Sequence, residues 1–217
     1  MRAYHEAYLH GATETFGSMV DYAVNGCKLD GDDFLSMFIA AGIALQFERG
    51  NPVVIAGMSG ADLAAKAIKI VTGEPPAVDY AEPHGFRTEE FWAGWILARY
   101  QWRTVRSFAV ILGALPFASI VGRYHPLHEA PESKFFAVAD RIIAERNPQT
   151  NLRRLRENVG VSQAGLAEQA AVSLRSVQMY EQRNKNVNHA QAITLAKIAR
   201  VLGCEVEDLL EREPDED

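Results

Sequence analysis

Between Ser162 and Glu181 the chain reads SQAGLAEQAAVSLRSVQMYE, and this stretch constrains the fold more than any other. Ser162 and Ser173 each stand just before a short apolar rhythm, where a hydroxyl can accept from the free N–H groups of a first helical turn. The first rhythm is Leu166, Ala167 and Ala170. The second is Val177 and Tyr180, at the i and i+3 spacing of one buried helix face. Ala170, Ala171 and Val172 are small or compact, as a tight turn between two steeply crossing helices requires. The pattern predicts a helix-turn-helix.

With Val177 and Tyr180 turned inward, Leu174, Arg175, Gln178 and Met179 point elsewhere and are the candidate readers of base edges in double-stranded DNA. Arg can pair bidentately with guanine and Gln with adenine, and Leu and Met can touch a thymine methyl. Ser173 and Ser176 stand beside them at the head of the same helix. Gln163 opens the preceding helix, where its amide and the neighbouring backbone N–H groups are expected to hold a phosphate oxygen, aided by the helix dipole. Arg183, Lys185 and Asn186 follow in a polar loop from which they would grip the DNA backbone and set the register.

The flanks extend this to five helices. Leu152, Leu155 and Val159 space a first helix whose other face carries Arg153, Arg154 and Arg156, with Gly160 as its terminator. Arg153 joins the candidate DNA contacts. Ile193, Leu195, Ala196, Ile198, Ala199 and Leu202 pattern a fourth helix ended by Gly203, and Val206, Leu209 and Leu210 a short fifth. From about Asn151 to Leu210 the segment resembles the DNA-binding domain of the lambda repressor/Cro-like helix-turn-helix (XRE) family. The SQxxLA opening, the VSxxxVxxYE recognition segment and the LAxxLGCxxxDLL-like ending carry the resemblance. Arg183 departs from it, because the family usually has Gly there. The resemblance implies a lambda-repressor-like domain over 151–211, duplex DNA as partner, and a homodimer acting on two half-sites.

Charge points to the same segment. From Asn151 to Gly203 there are eight Lys or Arg against three Asp or Glu, a balance of +5, in a chain whose net charge is −6. Residues 204–217 carry −7 and residues 1–150 carry −4, so the positive charge sits where the motif sits. Binding through such contacts is expected to depend steeply on salt. Residues 212–217 read as a solvated acidic tail.

The 217 residues leave about 150 outside this segment, enough for a second core at 48% hydrophobic content. The polar run Asn147 to Thr150, with Pro148 disfavouring helix at Asn147, marks the boundary, so a helical domain is expected over 1–146. The start, MRAYHEAY, lacks the pattern of a secretory signal. Ser107 to Gly122, broken by Gly113 and Pro116, is too short to span a bilayer and reads as buried helix and turn. Cys27 and Cys204 lie far apart without metal or redox spacing. A reduced, cytoplasmic, all-α protein is expected, with no membrane, no cofactor and no metal.

In the first part Tyr4, Tyr8, Phe16, Met19, Val20 and Ala23 pattern a first helix. Asp30, Asp32 and Asp33 precede Phe34, Met37, Phe38, Ala41 and Leu45, and Ser59 precedes a helix that Gly73 stops. Thr88, Glu89 and Glu90 open FWAGWILARYQWRTVR, whose Trp92, Trp95, Arg99 and Trp102 lie close to one face and are a candidate ligand pocket or partner groove, core packing being the simpler reading. A little strand is expected near Pro52 to Ala56. Ser59 superficially suits a nucleophile elbow, but Ala61 replaces the second Gly, and capping is the simpler reading. The Asp30 to Asp33 run lacks the Gly and closing Glu of a calcium loop. His125 and His128 have ligand spacing without a further Cys or carboxylate cluster. The segments FERGNPVVIAGMSG, FWAGWILARYQW and YHPLHEAPESKF are similar to stretches of uncharacterised bacterial proteins that end in the same XRE domain, a hint of regulators beside toxin-like genes.

Two functional readings follow. The first is a sequence-specific DNA-binding transcriptional regulator, a repressor or autoregulator, whose helical domain dimerises, senses or binds a partner. The second is an antitoxin or immunity protein whose first 150 residues neutralise a cognate toxin while the helix-turn-helix autoregulates the operon. An enzyme is not expected, since it would need an activity resting on Ser59, His125 or Glu90.

Overall fold

The computed structural model describes residues 2–76, 78, 87–146, 149–182 and 184–211. Every regular element among them is helical, and no strand occurs. The chain divides into two compact units, Arg2–Asn147 and Pro148–Asp217.

In the first unit α1 spans Leu9–Asp21, α2 Gly31–Ala40, α3 Ile43–Glu48, α4 Pro52–Ile55, α5 Gly60–Thr72, α6 Glu89–Thr104, α7 Phe108–Ala114, α8 Phe117–Val121, α9 Tyr124–Leu127 and α10 Glu132–Arg146. Helix α1 lies at the centre, against α5 and α6. Its approach to α6 depends on two glycines. A Cβ on Gly17 would come within 3.0 Å of the Phe91 ring, and one on Gly94 within 3.1 Å of Val20. An added methyl at either position would make its neighbours give by a few tenths of an ångström in a closely packed interior.

The core of this unit is aromatic. Phe16, fully buried, stacks on Phe108 with ring centroids 4.9 Å apart and meets Phe38 and Phe47 edge-on at 5.5 and 5.1 Å. Side-chain caps fix where the helices begin. Asp30 accepts from the N–H groups of Asp32 and Asp33, Ser59 from Asp62, Thr88 from Phe91 and Ser107 from Val110. Asp32 in turn accepts from the Phe117 and Ala118 N–H groups at the head of α8, so the acidic run caps two helices.

The structure corrects several local expectations. Pro52–Ile55 is a helical turn, because Asn51 accepts from the Val53 N–H and Pro52 is preset for helix at the first position. The pattern from Phe34 to Leu45 is two helices, broken at Gly42 with φ 71°. Tyr4 and Tyr8 precede α1, Tyr8 as the last residue of a 3-10 turn at Glu6–Tyr8.

In the second unit α11 spans Asn151–Val159, α12 Gln163–Gln169, α13 Leu174–Glu181 and α14 Ala192–Leu202; a 3-10 turn at Val187–His189 precedes α14, and the short helix expected at the end is a 3-10 turn at Val206–Leu209. Its core is aliphatic, with Leu152, Leu155, Leu166, Val177, Leu195, Ile198, Leu202 and Leu209 buried, and Tyr180 is the one aromatic ring in it. Asn151 and Asn188 close the unit: Asn151 Nδ2 donates to the Leu210 carbonyl, and Asn188 exchanges two hydrogen bonds with the Glu211 backbone.

No described helix is long and apolar enough to cross a membrane. Both cysteines are free thiols. Burial raises both thiol pKa values, that of Cys204 to about 11, so neither is a ready thiolate at neutral pH.

Candidate nucleic-acid interface

Ser162 caps α12 through the Gly165 N–H, and Ser173 caps α13 through the Ser176 N–H. Between the helices Ala171 takes the left-handed conformation with φ 49°. The Ala171 N–H reaches the Glu168 carbonyl and the Val172 N–H the Ala167 carbonyl, a Schellman ending built on alanine where glycine is usual. This sharp stop lets α13 turn away from α12 and pack Val177 and Tyr180 inward.

The outer side of α13 then carries Leu174 and Arg175, both exposed, with Ser176, Gln178 and Met179 half-buried beside them. Leu174 is 41% exposed, unusual for a leucine whose own helix has a core to join. Lys185 is exposed, its ammonium 5.6 Å from the Tyr180 ring. Asn186 uses its side-chain oxygen to cap the turn at Val187–His189. Ser173 is exposed but shares its hydroxyl with the Ser176 hydroxyl at 2.7 Å. Arg183 lies outside the described residues, as does the acidic tail 212–217.

The basic face expected on α11 is not there. Arg154 and Arg156 are each 8% exposed, and only Arg153 faces solvent, in an i,i+4 pair with Glu157 at 2.8 Å. Arg153 holds the Glu157 carboxyl below the ordinary glutamate range. Arg156 instead makes a bidentate pair with Glu181, at 2.6 and 2.9 Å, and gives a third hydrogen bond to the Val161 carbonyl. Glu181 also accepts from Gln163 Nε2 at 2.7 Å. The amide expected to hold a phosphate thus has one donor committed to the protein. One buried carboxylate ties α11, the head of α12 and the end of α13 together. Charge-assisted bidentate pairing fixes geometry as well as energy, and the pairing raises the Arg156 pKa further. Sequence spacing alone gave no sign of this, because Arg156 and Glu181 lie on different helices. The available signal was a glutamate directly after a buried Tyr180.

Residues 151–215 match the family model of the Cro/C1-type HTH DNA-binding domain. The C-terminal unit carries a domain of this type. No curated protein and no solved structure matches the chain. The Cro/C1-type HTH domain accounts for the turn, the caps and the exposed outer face of α13 as parts of a DNA-binding element.

The other candidate constellation is split by the structure. Trp92 and Trp95 border a cavity in the first unit. Trp102 lies elsewhere, its indole N–H donating to the Tyr4 carbonyl at 2.8 Å and its ring under Arg2. Ten residues on a helix add about 15 Å of rise and nearly three turns, so a stripe begun at Trp92 has drifted by Trp102. Arg99 stacks on Trp95 and pairs with Glu132. His128 stacks on Tyr124 at 4.1 Å, with His125 edge-on to both. Among the described residues no group of three or more His, Cys, Asp or Glu is placed to hold a metal.

Proposed function

We propose that the protein is a sequence-specific regulator of transcription that lays α13 in the major groove of an operator, acting as a repressor of its own or neighbouring genes. The observation that carries this reading is the division of α13 into a buried side, Val177 and Tyr180, and an outer side that presents Leu174 and Arg175 with Gln178 and Met179 flanking them. Arg175 and Gln178 read base edges, Leu174 and Met179 meet thymine methyls, and Ser173, Ser176, Lys185 and Asn186 position the helix on the backbone. Arg153 approaches phosphate from α11 once it leaves Glu157, and Gln163 does so with the amide hydrogen that Glu181 does not hold. A dimer places two such helices about 34 Å apart, and the unit Arg2–Asn147 supplies the dimer contact or a sensing surface.

A gel-shift series with a palindrome from the promoter of the protein's own gene tests this. Arg175→Ala and Gln178→Ala should each cost about 1–3 kcal/mol and relax preference at one base position. Lys185→Ala should weaken binding to all sequences alike and flatten the salt dependence. Identical effects of all three changes would remove the division between reading and positioning residues.

A further inference from the structure

The first unit holds a cavity of about 490 Å³ bordered by α6, α9 and α10, within the size range of small-molecule sites. Five of its bordering side chains are Phe, Trp or Tyr rings, Phe91, Trp92, Trp95, Tyr124 and Phe135, and three of these meet at steep angles. Trp92 meets Tyr124 edge-on at 5.6 Å and 81°, and Phe135 at 6.0 Å and 84°, and the half-buried Trp95 lies one helical turn further along α6. Perpendicular rings offer an incoming ring both a face and an edge, the two arrangements that aromatic quadrupoles favour. An aliphatic guest of equal size gains area burial there and nothing more.

The charges around the cavity already have partners. Arg87 pairs with Glu14 at 3.0 Å and Glu132 with Arg99 at 2.7 Å. The Arg99 guanidinium, held by Glu132, also covers the Trp95 ring at 4.9 Å and so holds that wall in place. A charged ligand would meet an opposite charge already neutralised and lose its hydration without compensation. We propose that this cavity is a binding site for a neutral planar aromatic molecule of bicyclic size, with Trp92 and Tyr124 as the rings that grip it. The proposal concerns the first unit alone and stands whether or not α13 reads DNA.

Fluorine NMR of 5-fluoroindole titrated with the full chain tests it. Saturable binding with a Kd of about 1 mM or tighter is expected, displaced by indole but about tenfold less well by tryptamine, indole-3-acetate or cyclohexanol. Trp92→Leu and Tyr124→Ala should each weaken it by about tenfold or more while the helical circular dichroism and its melting stay near those of the parent. Absence of saturable binding overturns the proposal. So do equal competition by cyclohexanol, and unchanged affinity in both folded variants. Should Trp92→Leu unfold, the half-exposed Tyr124 decides.

Discussion

The two units hold themselves together in different ways. The first buries a knot of phenylalanines in which Phe16 touches Phe38, Phe47 and Phe108. The second has neither phenylalanine nor tryptophan, and sets a buried Arg156–Glu181 pair against a modest aliphatic core. Size explains part of the contrast. A smaller unit removes a smaller fraction of its surface from water, so less of its stability comes from apolar burial. A bidentate ion pair adds direction where hydrophobic contact has none, and here it links the three helices that must be mutually placed for α13 to present an outer face. The larger unit fixes its helices by ring geometry and glycine approaches, and it leaves an aromatic-lined cavity.

Substitutions can break this comparison. Phe16→Ala should remove about 3–5 kcal/mol from the first unit, read in a denaturant melt, since three rings lose a partner at once. A cost below 1 kcal/mol would mean that the aromatic knot is not what holds that unit. Glu181→Ala should cost the second unit about 3 kcal/mol by stranding the Arg156 guanidinium, whereas Arg156→Met with Glu181→Leu should recover most of it. If the double variant melts near the parent yet binds DNA more weakly, the pair serves orientation more than stability. That outcome would sharpen the contrast most.

Smaller effects probe the local devices. Burial holds the Glu48 carboxyl above its usual pKa of 4.5 while it accepts from the Phe108 N–H. A group raised in the folded state favours folding in its protonated form, so its contribution is complete below 4.5 and is lost as pH rises through the folded value. Glu48→Gln should therefore raise the melting temperature at pH 7 and leave it nearly unchanged at pH 4, provided the amide oxygen keeps the Phe108 hydrogen bond. Ala171→Gly, which relieves a left-handed alanine in the turn, should stabilise the second unit by up to about 1 kcal/mol. A loss there would show that the turn is held by its side chain and not strained by it.

Much of the candidate interface was legible in the chain because its signals are local. The Ser162 and Ser173 caps, the small turn residues and the Val177/Tyr180 spacing all act within a few positions of one another, and the structure keeps each. The α11 arginines were misread for the opposite reason. A helical wheel cannot tell a solvated arginine from one whose partner is supplied by another helix 25 positions on. The Pro52–Ala56 segment was misread because an apolar run of that length suits strand or helix equally, and the Asn51 cap decides for helix.

What the amino-acid order determined by itself was the all-helical class, where most helices start and stop, and which side of α13 is apolar, since propensity, capping and periodicity need only neighbours along the chain. Tertiary structure alone decided that Glu181 clasps Arg156 and Gln163, that Trp92 and Trp95 share a cavity with Tyr124 and Phe135, and that Trp102 does not. Those pairings join residues on separate helices, and their geometry exists only after the helices have packed.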